Sequence, residues 1–259
     1  MRLGFIGTGQ ITTAIVTGLC TCENGSNQNN IWVSPRNREK SAALAKAYGA
    51  VQKGKDNQEV VDNCDIVCLA VLPQHKEKIL TPLHFRRDQI IVHILAATQV
   101  EEIKPFVSPA TQIVRAVPLP CTAIHAGPVA LYPAEGTACK TVSKLFSPLG
   151  SVIPLGDESQ LEILAIITAL MAPYYAMVEK ITAWAERQGI ARKDAAAYTA
   201  SMFEALSRIA ASADDGDAGR LAKECMTPGG LNALAMQVMD EKGGFEHVQA
   251  ALDAVKNRQ

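Results

Sequence analysis

The sequence predicts an α/β protein: an N-terminal, Rossmann-like doubly wound sheet followed by an all-helical domain. Three features carry that prediction. A short apolar strand, Leu3 to Ile6, runs through Gly7-Thr8-Gly9-Gln10-Ile11-Thr12 into an apolar-periodic helix. Strand and helix patterns then alternate as far as Pro154, as they do in a parallel sheet covered on both faces. From Asp157 onward the pattern is helical almost without a break. The division expected is residues 1–156 and residues 157–259.

The first turn is the one that speaks of function. Gly7 permits a sharp turn at the strand end, and Gly9 lets backbone approach a pyrophosphate resting on the positive end of the following helix. The G-x-G-x-x-G fingerprint is incomplete, because Thr12 stands at its third position. An ordinary strand-turn-helix with two turn glycines is the alternative. Its place at the very first strand, which leaves no room ahead of it for a signal peptide, favours the phosphate cradle.

A polar loop from Thr21 to Asn30 leads to a second strand, Ile31 to Val33. An acid at the end of this strand would hold a ribose 2′-hydroxyl and select NAD. Here stands Ser34-Pro35-Arg36-Asn37-Arg38 instead. A hydroxyl and two guanidinium groups suit a 2′-phosphate, with Arg36 best placed for a bidentate contact, so NADP(H) is the expected cofactor. The alternative is that Arg36 and Arg38 open a solvated helix. That helix is expected over Ser41 to Tyr48, and Gly49 ends it.

Further along, Asn57 stands where it would cap a helix bearing Val60 and Val61. Asp65 to Leu72 reads as a buried strand stopped by Pro73, which puts Ala70 and Val71 at the carboxyl edge, where open α/β sheets bind ligands. Gln89 to Leu95 is another strand, followed by the small residues Ala96-Ala97-Thr98, and helix is expected from Val100. Gln112 to Val117 is a strand ending at Pro118-Leu119-Pro120, and Ser151 to Ile153 is strand-like.

In the second domain Asp157, with Gln160 three residues on, has the form of a capping box. Leu161 to Gln188 is expected as one helix interrupted at Pro173, apolar on nearly every side. Three or four helices in roughly a hundred residues are too few to cover it, so a second copy of the chain is the expected partner. Gly189 ends this helix, Arg192 to Ala211 forms another, and Ser212 to Gly219 is an acidic turn. Thr227-Pro228-Gly229-Gly230 then opens a helix near Asn232. Two glycine N–H groups, a hydroxyl and an amide would converge there on a helix N-terminus suited to a carboxylate. An ordinary Pro-Gly-Gly helix entry is the alternative.

Composition excludes several other classes. A net charge of -1 with 20% charged residues offers no basic face for nucleic acid and no polybasic membrane patch. No apolar run reaches the roughly 18 residues that would span a bilayer, so no membrane partner is expected. Seven cysteines, odd in number and scattered, form neither a disulfide framework nor a zinc site, and the Cys20-x-Cys22 pair has no companion ligands. No metal and a reducing, cytoplasmic setting follow as expectations.

The two glycine-bearing stretches together resemble the pyrroline-5-carboxylate reductase family, which reduces a cyclic imine to proline with NAD(P)H. The resemblance runs through GFIGTGQITTAIVTGL, DIVCLAVLPQ, VPLP and the C-terminal TPGG, GGF and AALDAV runs, in the family's order and over nearly the whole chain. It implies a Rossmann domain and a helical dimerisation domain that interlocks with a second subunit, as a homodimer or an assembly of dimers, with the active site between chains. It implies cofactor contacts at Gly7, Thr8, Gly9, Gln10, Ile11, Ser34, Arg36, Asn57, Ala70, Val71 and Pro73. On the same comparison the carboxylate of a small imine substrate falls to Thr227, Gly229, Gly230 and Asn232, with Thr227 and Asn232 the candidate catalytic residues.

The chain also departs from the family. The usual Met-Pro-Asn-Thr-Pro appears as Val117-Pro118-Leu119-Pro120-Cys121, family Ser and Gly appear as His93 and Ala97, and the Thr pair after the glycines is Leu231-Asn232. The turn S-G-S-G-P-A-Y is shortened to Met171-Ala172-Pro173-Tyr174-Tyr175. An imine suits what is missing, since it arrives protonated and needs chiefly a well-placed hydride. No convincing acid stands out: His93 and His125 read as satisfied structural histidines, Lys180 as a surface or interface charge, and Tyr174 and Tyr175 equally as core packing or substrate contacts. The leading expectation is NADPH-dependent reduction of pyrroline-5-carboxylate to proline. The alternatives are an NADP-dependent reductase of another imine or small hydroxy or keto acid, and a non-catalytic NADP-binding protein.

Overall fold

The computed structural model describes residues 1–22, 30–213 and 216–258. Residues 23–29 of the expected polar loop, and 214 and 215 of the expected acidic turn, lie outside the described residues. By its internal contacts the chain divides into two compact units, Met1–Ala165 and Ile166–Gln259.

The first unit is an eight-stranded sheet. Its strands are β1 (Arg2–Ile6), β2 (Asn30–Val33), β3 (Val51–Lys53), β4 (Ile66–Leu69), β5 (Ile90–His93), β6 (Gln112–Pro118), β7 (Val129–Tyr132) and β8 (Val152–Pro154). Their spatial order is β3-β2-β1-β4-β5-β6-β7-β8. β1 to β6 are mutually parallel, β7 runs antiparallel to β6, and β8 runs parallel to β7. β1 sits between β2 and β4, with Gly4 opposite Trp32 on one side and Val67 on the other, so the winding direction reverses at β1. That reversal opens a crevice at the carboxyl ends of the strands.

Both faces of the sheet are covered. On one lie α1 (Gln10–Thr21), α2 (Arg38–Ala47) and α6 (Thr137–Phe146), burying Ile15, Leu19, Leu44 and Phe146 against Phe5, Val33 and Leu131. On the other lie α3 (Asn57–Asn63), α4 (Lys76–Leu80) and α5 (Val100–Val107), burying Val60, Leu80 and Ile103 against Ile6, Val67 and Ile91. Apolar burial at about 25 cal/mol per Å² makes these two clusters the main stabilisation of the unit.

Several local expectations change. α3 is capped by Asp56, whose carboxylate accepts the Glu59 N–H at 2.8 Å, rather than by Asn57, which becomes the first helical residue. The expected helix from Ser41 starts earlier, at Arg38, because the Asn37 side chain accepts the Lys40 N–H at 3.1 Å. β3, α4, β7 and α6 were not foreseen. Asp157 does begin α7 (Glu158–Ile167), accepting the Ser159 N–H at 2.8 Å. Glu158 ties the first turn of α7 to the sheet, accepting from the Val100 N–H and from Arg115, both at 2.9 Å. That tie explains why the first compact unit reaches Ala165.

The second unit holds α8 (Met171–Arg187), α9 (Arg192–Ala211), α10 (Ala218–Glu224), α11 (Leu231–Glu241) and α12 (Gly244–Lys256) among the described residues, more helices than expected. The break between α7 and α8 is a 3-10 turn at Thr168–Leu170, ahead of Pro173, whose missing N–H withholds one helical bond. Within this unit α8 and α9 pack as a pair, Tyr174 meeting Phe203 edge-on at 5.9 Å. Large apolar side chains nevertheless stay open, Trp184 at 59%, Tyr198 at 76% and Leu231 at 87% exposure.

Taken as one run, Glu158–Arg187 is long and apolar enough by length and composition to cross a membrane, its most apolar 18-residue window having a mean hydropathy of 1.8. This corrects the expectation that no segment qualifies. Glu162 and Glu179 bound a stretch without a charge, and acids at its ends do not outweigh it. A single helix of this kind is also what an uncovered protein interface presents.

Candidate functional site

A cleft of about 680 Å³ opens at the carboxyl ends of β1, β2 and β4. The sequence brings its walls together through the turn after β1. Gly7 has φ +104°, and a Cβ there would come within 2.3 Å of the Ala70 carbonyl oxygen, so only glycine lets this turn meet the end of β4. Three hydroxyls brace it. The Gly7 N–H donates to Ser34 Oγ at 2.8 Å, Thr8 Oγ1 donates to the Ser34 carbonyl at 2.7 Å, and Thr12 Oγ1 donates to the Gly7 carbonyl at 2.7 Å. Thr12, the misfit of the fingerprint, thus closes the loop by a hydrogen bond where a small residue would have closed it by packing. A Cβ on Gly9 would meet nothing within 4 Å, which leaves open space directly before the N-terminus of α1. That opening fits a phosphate group.

Gly7, Thr8, Gly9, Ser34, Arg36, Asn57, Ala70 and Val71 all line this cleft. Gln10, Ile11 and Pro73 are not in its wall: the first two start α1, and Pro73 begins a 3-10 turn, Pro73–His75. Ser34 is fully buried and holds the turn, so its hydroxyl is already engaged by the protein. Arg36 precedes the cap of α2, and Arg38 is that helix's first residue, so the solvated-helix alternative applies only to Arg38, which also reaches the cleft wall. His75 and Ile79 line the cleft too and were missed. The available signal was Pro73 at a strand end followed by an apolar pair at Ile79 and Leu80, the mark of a short helix entered through proline.

In the second unit, Thr227-Pro228-Gly229-Gly230 does lead into a helix, with Gly230 as the cap of α11 and Gly229 at φ +72°. Two of the four expected donors are engaged within the loop. The Gly230 N–H donates to the Thr227 carbonyl at 2.8 Å, and Asn232 Nδ2 donates to the Cys225 carbonyl at 3.0 Å. The Thr227 hydroxyl makes no hydrogen bond among the described residues.

The histidines resolve differently from one another. His125 is structural, its Nε2 lying 2.9 Å from the Gly18 carbonyl of α1. His93 is fully buried, yet among the described residues neither ring nitrogen has a hydrogen-bond partner, which corrects the reading of a satisfied histidine. Burial first, then the neighbouring Arg115 charge, push its pKa down to about 3, so the ring is neutral and a poor acid. Arg115 stands opposite it across the β5–β6 ladder and pairs with Glu158 at 2.9 Å and Glu162 at 3.3 Å. Lys180 is exposed on α8.

The fold and the cleft define a Rossmann-type dinucleotide-binding protein with a separate helical domain. Residues 2–97 match the family model described as NADP oxidoreductase, coenzyme F420-dependent, and residues 158–259 match the model for pyrroline-5-carboxylate reductase dimerisation. The pyrroline-5-carboxylate reductase of Pseudomonas aeruginosa is 24% identical over 99% of this chain and 95% of its own. The solved reductase of Coxiella burnetii is 25% identical with a TM-score of 0.83, covering 99% of this chain and 96% of that one. The Plasmodium falciparum pyrroline carboxylate reductase, solved with NADP bound, shares the fold at a TM-score of 0.85 and 17% identity, covering 100% and 96% of the two chains. Together the two family models and the relatives that match over nearly the whole chain support membership of the pyrroline-5-carboxylate reductase family.

Proposed function

We propose that the protein reduces pyrroline-5-carboxylate to proline with NADPH. The observation that carries this reading is the braced turn, Gly7 against Ala70, opening onto free space before α1 in a cleft also lined by Arg36, which has no ion pair among the described residues. Similarity over the full length to reductases of this name favours it over another imine reductase or a non-catalytic binder. The Plasmodium relative binds NADP, which supports the same cofactor here.

On this reading the Gly7–Ile11 segment takes the pyrophosphate, and Arg36 takes the 2′-phosphate. Ser34 holds the turn, while Asn57, Ala70, Val71 and Pro73 flank the ribose and nicotinamide. Bound NADPH supplies a hydride. Thr227, Gly229, Gly230 and Asn232 take the substrate carboxylate, with Thr227 and Asn232 orienting the ring. The proton on nitrogen arrives with the imine, so a neutral His93 and an exposed Lys180 leave no gap in the chemistry.

The apolar side chains left open in the second unit, Trp184 and Tyr198 among them, support assembly with a second copy, and the match to a dimerisation model over 158–259 supports a homodimer. We retain 1–156 and 157–259 as the proposed division, the latter beginning beside the dimerisation match. All seven cysteines are free thiols, which supports a reducing, cytoplasmic setting.

The test is NADPH absorbance on addition of pyrroline-5-carboxylate, with NADH as companion. Rapid oxidation with proline as product establishes the activity. NADPH binding without oxidation overturns it.

A further inference from the structure

Beyond Arg36 the cleft does not end. A second basin of about 530 Å³ adjoins it, and Arg36, Asn57, His75 and Ile79 line both. Lys78 lines only the second. We propose that Lys78, with His75 beside it, forms the far wall of the 2′-phosphate site opposite Arg36, and that Lys78 is a specificity-determining residue for a phosphorylated ribose.

The argument is one of charge and position. Arg36 sits in the loop after β2, whereas His75 and Lys78 sit in the 3-10 turn and α4 that follow β4, so the basin is flanked by cations from two separate elements. A dianionic phosphate is held best by donors converging from more than one direction, and a flexible ammonium complements a planar guanidinium. Neither Arg36 nor Lys78 is in an ion pair among the described residues. Lys76, two residues from Lys78 on the same short helix, is taken by Glu102. The pattern separates a lysine used by the fold from one left open at the basin. The acid in this basin, Asp56, is partly committed: its carboxylate accepts the Glu59 N–H at 2.8 Å as the cap of α3. Glu39 lines the first cleft but not the second.

The inference rests on the NADP reading above, and the experiment separates the two. Affinities of 2′,5′-ADP and 5′-AMP are measured by calorimetry for the full chain, then for Lys78→Ala, Lys78→Arg and His75→Ala, with circular dichroism checking that each variant keeps its fold. Wild-type chain that binds both fragments equally overturns the NADP reading itself. Given a wild-type preference for 2′,5′-ADP, Lys78→Ala should weaken that fragment about fivefold or more and leave 5′-AMP within about twofold, with recovery in Lys78→Arg. A smaller loss is expected for His75→Ala, whose ring lines both basins beside Lys78. Undiminished preference in Lys78→Ala, or equal loss for the two fragments, overturns the assignment while leaving the NADP reading intact.

Discussion

Replacing His93 with Leu should raise stability and flatten its loss in acid. The imidazole is fully buried in β5, both nitrogens lack partners among the described residues, and burial with the adjacent Arg115 charge holds its pKa at about 3 against the usual 6.5. Between those values the unfolded chain binds a proton that the folded chain refuses. The folded state therefore loses stability as pH falls from about 6.5 towards 3, at about 1.4 kcal/mol per pH unit. At pH 5 this is roughly 2 kcal/mol relative to pH 8. Leu occupies a similar volume and carries no polar atom, so at pH 8 the variant should also gain about 1–3 kcal/mol from removing unsatisfied groups. Urea unfolding at fixed chain concentration, from pH 8 to pH 5, reads both effects, with other titrating groups cancelling in the difference between the two proteins. Parallel stability profiles for wild type and His93→Leu would refute the buried neutral histidine. A variant less stable at pH 8 would refute the missing partners.

The remaining predictions address the turn, the buried ion pair and the helical unit. Gly7→Ala should lose at least about 2 kcal/mol of stability in urea, because of φ +104° and the Ala70 carbonyl 2.3 Å away. Gly9→Ala should keep its stability and lose NADPH affinity about tenfold or more by calorimetry, since its methyl enters the space in front of α1. Arg115→Ala strands the Glu158 carboxylate and should cost about 3–5 kcal/mol. Adding Glu158→Gln should recover part of that loss in a double-mutant cycle, and additive losses would deny the pairing. Tyr198→Glu, at a side chain 76% exposed, should shift the protein from dimer to monomer in light scattering, and an unchanged mass would remove this face from the interface.

The first turn and the helix Arg192–Ala211 were legible because their signals are local: glycine spacing after an apolar strand in one case, unbroken helical periodicity in the other. β7 was not legible. Val129–Tyr132 is four residues long, and its antiparallel direction depends only on which residues of β6 it meets, Val117 facing Ala130 and Arg115 facing Tyr132. The cleft shows the same divide. Gly7, Ser34, Arg36 and Ala70 come from strand ends that any doubly wound sheet collects at one edge, whereas His75 and Ile79 arrive through a helix of five residues with almost no pattern of its own. Ser34 was recognised as a position but not for its task, because a hydroxyl offered to a ligand and one committed to the Gly7 N–H look alike in sequence.

The polar cluster at β5 and β6 bears on how far the chain's departures reach into the chemistry. His93 stands where the family carries Ser, directly across the ladder from Arg115. Two cations side by side in a dry interior would repel strongly, and the structure avoids this in two ways. Glu158 and Glu162 neutralise Arg115, and the imidazole remains uncharged. Because burial is the larger cause of the depressed pKa, the ring would stay neutral even without the arginine. A group that is neutral for that reason and sealed from solvent cannot deliver a proton to a substrate at the strand edge. The substitution at position 93 therefore adds a buried, neutral ring to β5 and no proton donor. On the proposed reading, the departures that bear on substrate are Leu231-Asn232 in the first turn of α11, both exposed, where the Asn232 amide already donates to the Cys225 carbonyl.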